Sequence, residues 1–166
     1  MNILSHLLDR VEDHPDKIAF SFFDEKINEY NCITFKELNE KSNRAAILLE
    51  NRGFSRGMKI IVMIRPSIEL ITVIYAMFKV GIIPIFLPNL ALKNRAGRKE
   101  LRLIISRAKI DGFIGDRKYL LFSWLLGIRK FSNIVIPMHK LKKYFNNSNN
   151  ESDYSINTDL DWSDES

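Results

Sequence analysis

The sequence predicts an α/β fold: a doubly wound, mostly parallel sheet preceded by an N-terminal helix and a β-hairpin. Three observations predict it. Residues 59–64 and 82–87 are near-continuous apolar runs, the mark of strands buried on both faces. A helix-period stretch lies between them, so 59–87 reads strand, helix, strand: a βαβ unit with a right-handed crossover. The alternation of helix and strand then continues to residue 136, as a doubly wound sheet requires.

The elements follow in order. Ile3, Leu4, Leu7, Leu8 and Val11 fall at helical spacing, and His14-Pro15 ends that helix because a residue before proline is pushed out of the α region. Residues 18–23 form a strand rich in aromatics, 24–26 a turn, and 27–34 the return strand of a hairpin. Thr34 and Glu37 have capping-box spacing, so a long helix begins there, with Leu38, Ala45, Leu48 and Leu49 inward and Gly53 as its stop. After the strand at 59–64, Pro66-Ser67 opens a helix with Ile68, Ile71, Ile74, Tyr75 and Phe78 inward, ended by Gly81. The next buried strand, 82–87, is followed by a basic helix at about 97–109 and a short strand at 112–115. An apolar helix at 119–126 and a last strand at 133–136 complete the pattern. From Lys142 the pattern stops, and the Asn-rich stretch 144–152 has too little apolar surface to pack. The expected division is a partial α/β subdomain over 1–141 and a polar, acidic linker or tail over 142–166.

Composition excludes several classes. Apolar residues make up 46% of the 166 and charged residues 27%, an ordinary globular balance. The longest clean apolar run, 70–78, is far short of the roughly 20 residues that a membrane-spanning helix needs. The N-terminus lacks the basic and apolar regions of a secretory signal, and the single Cys32 cannot form an internal disulfide, so a cytoplasmic location is expected. His6, His14 and His139 are scattered, which leaves no metal-ligand spacing. All 25 Lys and Arg lie at or before Lys143, whereas six acids and no base follow it. A basic body of this kind suits a polyanionic partner or a membrane surface, or is a solvated face.

Several blocks carry a resemblance. They are His14-Pro15-Asp16-Lys17-Ile18-Ala19, then Thr34-Phe35-Lys36-Glu37-Leu38 with Ser42-Asn43-Arg44-Ala45, then Ala76-Met77-Phe78-Lys79-Val80-Gly81 leading to Pro84. In order and spacing they resemble the N-terminal region of the adenylate-forming enzymes, the superfamily of AMP-dependent synthetases, ligases and acyl-CoA synthetases. The wording of Gly57-Met58-Lys59, Arg65-Pro66-Ser67 and Phe113-Ile114-Gly115 is most similar to fatty-acyl ligases of the olefin-biosynthesis, β-lactone-forming type. Leu87-Pro88-Asn89 departs from that subgroup, which has an Asp-Pro-Gly type of turn there.

The resemblance implies a partial N-terminal domain of a larger enzyme that activates a fatty or other carboxylic acid with ATP and Mg²⁺. It implies as partners the remainder of the ligase or a complementary subunit. The family's Ser/Thr/Gly-rich phosphate loop ending in Pro-Lys is missing, since all seven glycines stand alone, and so are its later nucleotide motifs and catalytic lysine. No catalytic, cofactor-binding or metal residue is therefore assigned in this chain, and it is expected to be inactive alone. Lys79, Gly81 and Pro84 read as structural, with Lys79 placed to favour the negative pole of its helix. The alternative is a stand-alone binding module whose basic helix meets anionic lipid, RNA or a partner subunit. Nucleic acid is disfavoured because no aromatics interleave with the bases around 93–109. A third reading, a small enzyme built on Cys32 or a histidine, ranks lowest because Cys32 is expected to be a buried, inert thiol.

Overall fold

A computed structural model of the protein describes residues 2–25, 27–87, 95–116, 134–139 and 141. The order is α1 (Ile3–Asp13), β1 (Ile18–Asp24), β2 (Glu29–Thr34), α2 (Phe35–Asn51), β3 (Lys59–Met63), α3 (Ile68–Val80), β4 (Ile83–Phe86), α4 (Arg95–Ala108), β5 (Gly112–Gly115) and β6 (Ile134–Pro137). The expected helix at 119–126 and the whole of the expected linker at 142–166 lie outside the described residues.

Local chemistry sets the ends of these elements. Asn2 caps α1, its Oδ1 accepting the Leu4 and Ser5 N–H groups at 3.0 and 2.9 Å. Thr34 and Glu37 close the expected capping box on α2: the Glu37 N–H donates to Thr34 Oγ1 at 3.2 Å and the Thr34 N–H to Glu37 Oε2 at 3.1 Å. Ser67 caps α3, and Gly81 ends it in the left-handed region at φ 81°.

Among the described residues β1 and β2 pair antiparallel as a separate two-stranded ribbon, with an irregularity between Ile18 and Phe20. β3, β4, β5 and β6 form one parallel sheet in the order β4-β3-β5-β6. The period-2 pleat sorts the side chains of β3. Ile60 and Val62 face one core with residues of α2 and α3, among them Leu49, Val73 and Met77. Ile61 and Met63 face the other core, with Phe113 of β5 and Ile105 of α4. Helices therefore cover both faces, as a doubly wound sheet demands. A third cluster, centred on Leu7, Ile33 and Leu38, joins α1, the ribbon and the start of α2 to one side of α3.

Two expectations about packing are corrected. β4 is not a strand buried on both faces: it lies at the sheet edge, none of its residues is fully buried, and Phe86 is 54% exposed. An edge position suits Pro84. The Ile83 N–H donates inward to Met58 O at 2.9 Å, so the next residue's nitrogen faces away from β3 and no ladder bond is lost. The fully buried face of α3 is also rotated from the one expected. Thr72, Val73, Ala76, Met77, Lys79 and Val80 are buried, whereas Ile68, Ile71, Ile74, Tyr75 and Phe78 are only partly so. The helix is apolar all round because it is clasped from two sides: the sheet core takes Val73, Ala76, Met77 and Val80, and the ribbon cluster takes Ile68, Ile71 and Tyr75.

Candidate functional site

The chain runs from β3 to β4 on one side of β3 and then returns to β5 on the other side, so the winding direction reverses between β3 and β5. In open α/β sheets, ligands bind outside the carboxyl ends of the strands at this reversal. The carboxyl ends here are Met63-Ile64-Arg65 and Gly115-Asp116. The Asp116 N–H donates to Met63 O at 3.1 Å, which extends the pairing beyond the strands. Arg65 Nε meets Asp116 Oδ2 at 3.4 Å, spanning the reversal with an exposed ion pair.

An open cleft of about 630 Å³ lies at this point. Its floor is the Ile64 to Glu69 turn and Asp116, and its opposite wall is the ribbon, including Phe22, Asp24 and Asn31. Close packing holds the floor. A side chain at Gly115 would stand 2.7 Å from the Phe113 ring and 3.0 Å from Met63 O, so only glycine lets the ends of β3 and β5 approach this closely. Four carboxylates (Asp24, Glu25, Glu69, Asp116) and two cations (Lys41, Arg65) line the cleft. Among the described residues, no group of three or more His, Cys, Asp or Glu side chains could hold a metal ion.

Cys32 lines the same cleft and is exposed, which corrects the expectation of a buried thiol. Among the described residues β2 pairs with β1 alone, and four of its six residues, Cys32 among them, are exposed.

The structure also brings together two of the blocks that the sequence set apart. Lys79 is only 3% exposed, and its ammonium donates to Asn39 O at 3.1 Å, Asn39 Oδ1 at 2.7 Å and Asn43 Oδ1 at 2.5 Å. Burial lowers its pKa from 10.5 to about 7. The three acceptors work against that shift, because only the ammonium has three N–H groups to donate. In the sequence Lys79 reads as a dipole-complementing helix end. The signal for its burial was there: Lys79 follows Thr72 and Ala76 on one helical face, and Asn39 and Asn43 are spaced i, i+4 on α2.

Residues 7–148 match the family described as AMP-binding enzyme. The chain is 27% identical over 121 residues to an olefin beta-lactone synthetase of Stenotrophomonas maltophilia, a match covering 69% of this chain and 21% of that protein. It is 30% identical over 113 residues to a 2-succinylbenzoate–CoA ligase of Bacillus cereus, covering 68% of this chain and 21% of that one. The chain thus spans about a fifth of the length of these relatives. Its fold is similar to that of an O-succinylbenzoate coenzyme A synthetase of Bacillus subtilis, solved in complex with ATP and magnesium ion. The TM-score is 0.64 at 20% identity, over 82% of this chain and 33% of that one.

Proposed function

This chain belongs to the family of AMP-binding enzymes, and on that premise we propose that it is an N-terminal piece of a ligase that activates a fatty or other carboxylic acid with ATP, forming acyl-AMP and pyrophosphate. Residues 1–141 serve as a partial α/β subdomain, and 142–166 link it onward. The observation that carries the reading is the family match over 7–148, on a parallel sheet in the order β4-β3-β5-β6.

The chain contributes scaffold and not chemistry, because its seven isolated glycines include no phosphate-cradling loop. ATP and Mg²⁺ are handled by the remainder of the ligase or a complementary subunit, in the cytoplasm. The isolated ribbon is the natural place for that remainder to pack, since Ile18, Phe23, Ile27 and Tyr30 are 50–68% exposed there. The stand-alone binding module gains no support from relatives that are much longer ligases, of which the match covers about a fifth.

ATP–pyrophosphate exchange with fatty acids tests the reading. It is run on the species captured from source cells by an antibody against this chain, and on the 166-residue chain alone. Exchange is expected in a species several-fold heavier than 19.4 kDa and not in the chain alone. Exchange by the chain alone would overturn the scaffold role. A heavier species inert toward every carboxylic acid tried would overturn the ligase.

A further inference from the structure

Charge is lopsided on one helix. α1 and α2 mix acids with bases, whereas α4 carries five bases against one acid, Glu100. The sequence spaces Arg95 from Lys99, and Arg98 from Arg102, by four residues. Like charges at that spacing disfavour the helix.

The rotation of α4 is set by its apolar side. Ile105 is buried against the sheet with Ile61, Met63 and Phe113. Lys99, Arg102, Leu103, Ser106 and Arg107 are exposed, and Lys109 follows in the left-handed conformation at φ 51°, exposed as well. Leu103, half exposed among these cations, gives the face an apolar foot.

We propose that the outer face of α4 binds the anionic headgroups of a phospholipid bilayer. Charge complementarity supplies the attraction, to which each Lys or Arg near an anionic surface adds. Leu103 suits the boundary between headgroups and acyl chains, where basic amphipathic helices lie. Single-stranded nucleic acid fits less well, because α4 contains no aromatic ring on which a base could stack.

The test is co-sedimentation of the 166-residue chain with phosphatidylcholine vesicles, with and without phosphatidylglycerol. Binding is expected only when the anionic lipid is present, and it should fall steeply as salt rises, since the attraction is screened within about 10 Å at 0.1 M. The double substitution Lys99→Glu with Arg107→Glu should weaken binding at least about tenfold. Lys17→Glu with Arg52→Glu, an equal change of net charge away from α4, should leave it within about twofold, with circular dichroism showing both variants folded. Equal binding to neutral vesicles, equal loss in the two double variants, or retention on RNA without retention on anionic vesicles would each overturn the proposal.

Discussion

Lys79 places an amine in the interface between α2 and α3, where it has three oxygen acceptors. Burial holds its pKa near 7, against 10.5 for an exposed lysine. Between those values the unfolded chain binds a proton that the native chain does not, so stability rises as pH climbs from 7 toward 10.5. Below 7 both states are protonated, and the cost of burying the charge is felt in full. The slope is at most about 1.4 kcal/mol per pH unit. Urea unfolding between pH 6 and 9.5 should show this rise, and Lys79→Met should flatten it. An unchanged slope in the variant would remove Lys79 as the cause. The upper limit avoids Tyr75, whose pKa burial raises above 10.0.

At the scale of the element, the turn from α3 into β4 depends on Gly81. It sits at φ 81°, its carbonyl accepts the Gly57 N–H at 2.9 Å, and a Cβ there would lie 2.9 Å from Arg56 Cγ. Gly81→Ala should destabilise the chain by roughly 1–2 kcal/mol, the cost of placing an L side chain in the left-handed region. Chemical denaturation reads this directly, and a loss under about 0.5 kcal/mol, the range of ordinary surface substitutions, would show that the turn relaxes. The boundary was legible in the sequence because a glycine followed an apolar helical stretch. The buried face of α3 was not: apolar residues on every side of a helix carry no direction, and only the two layers that clasp it choose which are most deeply buried.

For the whole molecule, the ribbon and the β4 edge leave apolar surface uncovered among the described residues, with Phe86 added to Ile18, Phe23, Ile27 and Tyr30. Exposed apolar surface of this kind promotes association. Sedimentation velocity of the isolated 166-residue chain should show an average mass that grows with concentration. A single monomeric boundary at every concentration, with a sharp melt, would contradict this.

Within the described residues, the sequence by itself determined which stretches are strands and which are helices, with most ends to within about two residues, because period, caps and glycine stops act over short distances. It also carried the family's blocks, which is why the resemblance and the later match agree. Tertiary structure alone decided that β4 is an edge, that Cys32 is exposed, that Arg65 faces Asp116 across the reversal of winding, and that Lys79 reaches Asn39 and Asn43. Each of these depends on partners about 20 to 50 residues away, or on what packs over a strand. No local pattern records which distant residue a side chain will meet, or whether anything will cover it.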